Sequence, residues 1–99
     1  MTENKKQDTN IVYVGQKPLA NYVTAVLTQL HMSGSVVIKA RGRAMSRAID
    51  AAEVVRNKFG SLEIENVAIG SENLVDKENG RTTTLSFIEI YGRQKEPKN

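Results

Sequence analysis

Four basic residues lie close together near the middle of the chain: Lys39, Arg41, Arg43 and Arg47. Only small or apolar residues and one serine separate them, an apolar run precedes them, and a helical pattern follows. Gly42 therefore stands where a strand must become a helix, and a glycine there can adopt φ > 0. The N-terminus of a helix exposes unpaired N–H groups, and an arginine guanidinium holds two oxygens at once. The stretch predicts a phosphate site, with a solvated basic elbow that binds nothing in particular as the alternative.

The elements around this stretch follow a strand–helix–strand–helix pattern. Residues 11–14 and 36–40 are short apolar runs, as expected of strands buried in a parallel sheet. Apolar residues at helical spacing predict helices over residues 18–31 and about 45–59. Because the strand-to-helix turns of parallel strands meet at one edge of a sheet, residues 15–18 should lie beside the basic stretch. The predicted binding patch on the body comprises Gln16, Lys17, Lys39, Arg41, Gly42, Arg43 and Arg47.

A β-hairpin should follow the second helix. Residues 62–69 are predicted to form the third strand, with a bulge where the apolar alternation changes phase at residues 65–67. The dipeptide at residues 79–80, Asn-Gly, is the strongest short signal for a two-residue hairpin turn. The register that this turn implies pairs Val75 with Thr84, Leu74 with Leu85, and Ile69 with Ile90.

Residues 71–84 contain only two apolar residues and are predicted to form a two-stranded arm that projects from the body. An irregular loop is the alternative, because an isolated hairpin is marginal in water. At the tip we expect Lys77, Asn79 and Arg81 to contact a ligand. The side chains expected to face the helices are Ile69, Ile88 and Ile90. Those expected on the other face, for sheet packing or self-association, are Leu74, Leu85 and Phe87.

Charge and composition narrow the function. The net charge is +3, but residues 11–59 hold seven cations and two acids, while residues 60–99 hold five cations and seven acids. This asymmetry indicates one electropositive face and a polyanionic partner. The chain has no cysteine, which excludes disulfides and thiolate zinc sites, and we expect no metal or other cofactor. With no apolar run long enough for a bilayer and no signal segment, we expect a cytoplasmic protein with no membrane partner.

Neither the second helix nor the few aromatic residues indicate a catalytic site or a site that recognises nucleic-acid bases. Spacing of i,i+3 on the second helix predicts the ion pairs Arg47–Asp50 and Glu53–Arg56. No GxxxxGK loop follows a strand, and no Ser-His-Asp set is assembled, so no catalytic residue is predicted. With only five aromatic residues, no stacking platform for RNA bases is expected.

With this order of elements, the chain resembles the Alba family, also called the Sac10b family, of archaeal chromatin proteins. The resemblance covers about residues 10–92, leaving residues 1–9 as a disordered tail and residues 93–99 as a polar tail. The motifs that carry it are Gly15-Gln16-Lys17-Pro18, Asn21-Tyr22-Val23, Ile38-Lys39-Ala40-Arg41-Gly42-Arg43-Ala44 with Ser46, Val54-Val55-Arg56-Asn57-Lys58-Phe59, Ile69-Gly70-Ser71 and Ile88-Glu89-Ile90.

The resemblance implies an α+β fold of two layers with βαβαββ order, like the C-terminal domain of initiation factor three. A four-stranded mixed sheet would carry two helices on one face and a protruding hairpin arm. The implied function is non-enzymatic: a homodimer on the chromosome that binds double-stranded DNA and RNA, mainly through phosphates, with the arm at the minor groove. By position, the family's binding residues match Gln16, Lys17, Arg41 and Arg43, and its contact between dimers matches Phe59.

One position departs from the family pattern. The usual GKKP sequence is GQKP here, so Gln16 stands where the family has the lysine of its acetylation switch. Glutamine is neutral and resembles acetyl-lysine, which predicts weaker binding than in a GKKP relative. Lys17 is then the only candidate for acetylation in this turn.

Three other interpretations stay open. RNA is the main ligand if the protein is an RNA-binding subunit of a ribonucleoprotein or an RNA chaperone, because related domains serve in such particles. A phosphate-handling enzyme would use the arginines of the basic stretch. A pure assembly module would use the apolar residues of the hairpin instead.

Overall fold

The computed structural model describes residues 10–96, which form two helices and four strands. Strand β1 (Ile11–Tyr13) leads to helix α1 (Leu19–Ser33), and β2 (Ser35–Arg41) leads through a 3₁₀ turn (Gly42–Ala44) to α2 (Met45–Val54). A wider π-helical turn (Val55–Phe59) extends α2. Strands β3 (Leu62–Val75) and β4 (Thr82–Gln94) complete the chain. The predicted N-terminal tail, residues 1–9, lies outside the described residues.

The strands form one mixed sheet in the order β1-β2-β4-β3. β1 pairs with β2 in parallel, and β4 pairs with both β2 and β3 antiparallel. The βαβαββ order and the α+β two-layer fold are therefore confirmed. The predicted bulge is also present, as a shift in the pairing of β3 between Ile64 and Asn66.

Both helices pack on one face of the sheet. Alternate residues of β2 point to this face and are buried, as the pleat of a strand requires: Val36, Ile38 and Ala40. The three buried side chains of α2 are all alanines, whose small size lets the helix axis lie close to its neighbours. None of the helices in the described part of the chain is long and apolar enough to cross a membrane.

The register of the hairpin differs from the prediction. Val75 pairs with Thr82 and Ile69 with Ile88, so the partners lie two residues nearer the turn than expected. Because the shift is an even number of residues, every side chain keeps the face that the prediction gave it. Strand β4 also continues to Gln94, so the first two residues of the predicted C-terminal tail belong to the sheet.

The cause of the register difference is a wider turn. Asp76 and Arg81 close it through a backbone hydrogen bond of 2.8 Å, and the Gly80 N–H donates to the Asp76 carbonyl at 2.7 Å. A type I′ turn needs two residues with positive φ, but within this turn only Gly80 has one, at 73°. The side-chain oxygens of Asp76 and Asn79 accept the N–H groups of Glu78 and Arg81, each at 2.8 Å, which stabilises the longer loop.

Beyond the Arg41–Phe87 pair, β3 and β4 continue without β2. These residues, 71–86, form a two-stranded arm that projects beyond the end of β2. The arm is thus a continuation of two strands of the sheet rather than an irregular loop. Its hydroxyl-rich surface includes the hydrogen bond from Thr84 Oγ1 to Asn73 Oδ1, at 2.9 Å.

Candidate nucleic-acid interface

The turns after β1 and β2 lie side by side, as predicted from the parallel strand pair. The Val14 N–H donates to the Lys39 carbonyl at 2.8 Å, which joins the ends of the two strands. Strand β3 runs in the same direction, so the arm leaves the body at this same edge. We call the two turns, residues 15–18 and 39–47, the basic edge.

The first turn is held by a side chain that the residue pattern did not single out. The Tyr22 hydroxyl accepts the backbone N–H groups of Gly15 and Lys17, each at 3.0 Å. Tyr22 is buried against the core, so its oxygen is a fixed point to which the exposed turn is tied. Gln16 and Lys17 themselves are exposed. The advance signal was the place of Tyr22 in the motif Asn21-Tyr22-Val23.

Arg47 also positions this turn. Its Nη1 donates to the Gly15 carbonyl at 3.4 Å, so the residue links α2 to the first turn. The predicted Arg47–Asp50 ion pair is absent from the described residues, because the guanidinium is directed across the basic edge instead. The predicted Glu53–Arg56 pair is present at 2.8 Å, and its hydrogen bond lowers the pKa of Glu53.

The second turn brings its arginines to the same surface. Gly42 has φ = 59°, the positive value predicted for the strand-to-helix junction. A Cβ at Gly42 would lie 3.6 Å from Leu85 Cδ2, so this turn packs against the base of the arm. Arg41 and Arg43 flank the glycine and are both exposed. The turn is thereby fixed on one side by β2 and on the other by the arm.

Two of the predicted binding cations have acidic partners. Arg41 Nη1 lies 2.6 Å from Glu72 Oε2 on the arm, and Lys39 Nζ lies 3.6 Å from Glu89 Oε2 on β4. Within residues 10–96, Lys17 and Arg43 form no ion pair. Arg47 has no acidic partner in this range either and donates to a carbonyl instead. The basic edge thus contains three cations without an acidic partner among these residues and two that a polyanion would have to share with carboxylates.

The tip of the arm carries mixed charge. Lys77, Asn79 and Arg81 are exposed there, as predicted. Asn79 Oδ1 accepts the Arg81 N–H, so this side chain shapes the turn and leaves its amide NH₂ free to donate. Across residues 71–86 three acids accompany two cations. The arm is therefore not electropositive as a whole.

Several large apolar side chains are exposed on the helix side of β3. Ile69 faces this side as predicted, but the helices do not reach it: it is 79% exposed, whereas its cross-strand partner Ile88 is 8% exposed. Val67 on β3 and Ile49 on α2 are also exposed. We call these three residues, Ile49, Val67 and Ile69, the apolar patch. Phe59 is exposed at the other end of α2, away from the basic edge.

Leu74, Leu85 and Phe87 lie on the opposite face of the hairpin and are half-buried. Phe87 stands directly across from Gly70, where a Cβ would lie 2.6 Å from the tip of the ring. The absence of a side chain at Gly70 therefore makes room for Phe87. These three residues pack along the sheet and are separate from the apolar patch.

Comparison with known proteins agrees with this architecture. The family model of Alba matches residues 10–71. The solved structure of Alba from Thermoplasma volcanium is 41% identical, with a TM-score of 0.77 over 85% of this chain and 99% of that one.

The chain belongs to the Alba family. Its domain is accordingly a nucleic-acid-binding fold of a non-enzymatic family. The structure of ALBA1 from Trypanosoma brucei shares the fold, with a TM-score of 0.69 over 89% of this chain and 72% of that one, at 18% identity. Among residues 10–96, no group of three or more His, Asp or Glu side chains is placed to hold a metal ion.

Proposed function

We propose that this Alba-family protein is a homodimeric, non-enzymatic chromatin protein that binds double-stranded nucleic acid through its phosphates. The observation that carries the proposal is the basic edge: two strand-to-helix turns, joined by hydrogen bonds, present Lys17, Arg41 and Arg43 together. The arm leaves the body beside them. In this proposal the protein acts in the cytoplasm, on the chromosome.

The chemistry of the basic edge favours recognition of the backbone over recognition of bases. Its exposed cations suit phosphate oxygens, and within residues 10–96 the two helices pack on one face of the sheet rather than forming a separate recognition helix. The arm is narrow enough to follow a minor groove, with Lys77, Asn79 and Arg81 at its tip. Binding of this kind is strongly salt-dependent and weakly selective for sequence.

The apolar patch supports self-association. Two of its residues, Val67 and Ile69, lie on β3, a long edge strand whose outer backbone groups are unpaired within the described chain. Exposed apolar side chains beside an open strand edge are typical of interfaces. We infer that a second copy covers Ile49, Val67 and Ile69, and that Phe59 is left for contacts between dimers. Ile69→Asp should then give a folded monomer in analytical ultracentrifugation, whereas an unchanged mass would contradict this interface.

The GQKP turn affects regulation in this proposal. Lys17 is exposed in the first turn and is the candidate for acetylation, which would remove one of the unpaired cations. Gln16 beside it is permanently neutral. Lys17→Gln, which removes the same charge, should therefore weaken duplex binding, and Gln16→Lys should strengthen it.

The test compares two arginines at opposite ends of the sheet. Arg43 is on the basic edge, whereas Arg93 is near the end of β4 and pairs with Glu63 and Glu65. In fluorescence-anisotropy titrations with labelled duplex DNA and duplex RNA, Arg43→Ala should weaken binding by roughly tenfold to a hundredfold. Arg93→Ala, which removes the same charge, should change it by about twofold or less. Equal losses for the two variants would contradict the proposed site.

A further inference from the structure

The face of the sheet away from the helices carries a cluster of aromatic residues. By register, Tyr13 is level with Lys39, Phe87 with Arg41, and Tyr91 with Val37. All three rings therefore lie on the face that neither helix covers. Only five aromatic residues occur in the chain, and the pairing of β1, β2 and β4 brings three of them to one face, which the sequence alone did not predict.

A groove of about 490 Å³ runs between Tyr13 and Phe87. Tyr13 is 71% exposed, so most of its ring contacts no other part of the described chain. Phe87 is held in place, because its ring crosses Gly70 on the neighbouring strand. From strand spacing and rise, the Cα atoms of the two aromatic residues are separated by roughly 12 Å, enough to carry separate planar groups.

The charges in the groove limit what it can bind. Arg41 and Lys39 line it together with their partners Glu72 and Glu89. Glu89 also accepts a hydrogen bond of 2.7 Å from Tyr91, which raises the pKa of the tyrosine. The groove is therefore close to neutral, unlike the basic edge. It suits a ligand that combines planar rings with hydrogen-bond donors and acceptors and only one or two negative charges.

We propose that this groove binds unpaired nucleotides of an RNA or DNA strand, with one base stacked on Tyr13 and another against Phe87. Bases in a duplex have no free face, whereas an unpaired base can stack on an exposed aromatic ring. Arg41 lines the groove and is also part of the basic edge. A single nucleic-acid strand that continues from a duplex bound at the basic edge therefore passes Arg41 to enter the groove. The inference rests on the proposed function and extends it to junctions between duplex and single strand.

The groove stays accessible in the proposed dimer. The apolar patch lies on the helix side of β3, at one edge of the sheet. Tyr13 lies on the other face, on β1 at the opposite edge. A second copy seated on the patch therefore leaves the aromatic face uncovered.

The experiment measures single-strand and duplex binding in parallel. The probes are fluorescein-labelled oligoadenylates of about ten nucleotides, as RNA and as DNA, and a blunt duplex of mixed sequence. Tyr13→Ala should weaken single-strand binding about tenfold, the effect of losing one base–aromatic stack, and change duplex binding by about twofold or less. Tyr13→Phe should retain binding, because stacking requires the ring and not the hydroxyl.

Met32→Ala is the matched control. Met32 is 73% exposed, as Tyr13 is 71% exposed, but it lies near the end of α1, away from the groove. This variant should bind both probes like the wild type, and thermal melting should show that all variants are folded. Tighter binding of RNA than of DNA, or of both equally, is consistent with the proposal.

Three results would overturn the inference. They are no binding of the wild type to either single strand, equal losses on single strand and duplex for Tyr13→Ala, and a Tyr13→Phe variant as weak as Tyr13→Ala. Failure of the proposed duplex function is a different result, because it would appear as equal effects of Arg43→Ala and Arg93→Ala on the duplex alone.

Discussion

The basic edge and the arm both present cations at the same end of the molecule, but on different supports. In the basic edge, Lys17 stands on a turn fixed by the buried hydroxyl of Tyr22 and by Arg47. In the arm, Lys77 and Arg81 stand at the end of a two-stranded ribbon with solvent on its sides. The basic edge holds its charges in fixed positions close to the core, whereas the arm places its charges at a distance from the body.

The charge balance of the two regions differs as well. Lys17 and Arg43 have no acidic partner within residues 10–96, whereas the arm contains more acids than cations. Release of counterions from phosphates scales with the cations that contact them. We therefore expect the basic edge to supply most of the affinity and the arm to determine where on the duplex the protein lies.

The division of roles between the basic edge and the arm is tested most strongly by removing two cations from the basic edge. If three cations per subunit contact phosphates, a dimer neutralises about six, and the slope of log affinity against log salt is about −5. Lys17→Ala with Arg43→Ala leaves about two contacts, so the slope should fall to about −2 and affinity by about a hundredfold or more. Anisotropy titrations across a salt series measure both, and an unchanged slope would contradict the assignment.

Removing two cations from the arm is the matched experiment. Lys77→Ala with Arg81→Ala should weaken duplex binding only about fivefold, because three acids already offset these charges. The same titrations compare it with the double variant of the basic edge. If the arm variant loses as much affinity as the edge variant, the division of roles between the two regions is wrong.

The support of the basic edge is tested by Tyr22→Phe. The ring stays, but the N–H groups of Gly15 and Lys17 lose their acceptor, so unfolding free energy should fall by about 1–2 kcal/mol and duplex binding by about threefold. Urea denaturation and titration measure the two effects. Tyr91→Phe is the control, because it removes a hydroxyl that within residues 10–96 is bonded only to Glu89, and it should change stability by about 0.5 kcal/mol or less. Equal losses of stability in the two variants would argue against a positioning role for Tyr22.

The smallest expected effect is at the contact between the two regions. Glu72 Oε2 lies 2.6 Å from Arg41 Nη1, so a phosphate must displace this carboxylate before it can bind the guanidinium. Glu72→Gln should therefore strengthen duplex binding about twofold, in line with the small energy of an exposed ion pair. Glu63→Gln, which neutralises an acid paired with Arg93, should leave binding unchanged. An identical gain in both variants would indicate a general charge effect.

Much of the body could be predicted because its signals are local. Apolar runs, helical spacing and the glycine at position 42 identify the strands, the helices and the junction between them from neighbouring residues alone. The parallel arrangement of the first two strands then places the turn that carries Lys17 beside the turn that carries Arg43. Strand alternation likewise assigned the correct faces to the residues of the hairpin, even though its register was two residues off.

Two kinds of feature were not predicted: a local turn between β3 and β4, and contacts between residues far apart in the chain. The dipeptide Asn-Gly predicts a two-residue turn. Hydrogen bonds accepted by the side chains of Asp76 and Asn79 stabilise a longer turn instead, and a preference based on two residues does not include them. Arg41 meets Glu72 across 31 positions, and Arg47 meets Gly15 across 32. The aromatic face exists only because β4 is inserted beside β2, an order that the alternation of apolar residues does not specify.

The most direct measurement of the central claim is a map of backbone amide chemical shifts on adding a short duplex to the labelled protein. We expect the largest changes at residues 15–17 and 41–47, smaller ones along residues 71–86, and none at Gly34 and Arg93, which lie at the opposite end of the sheet. Changes centred on that opposite end, with the basic edge unaffected, would contradict the account.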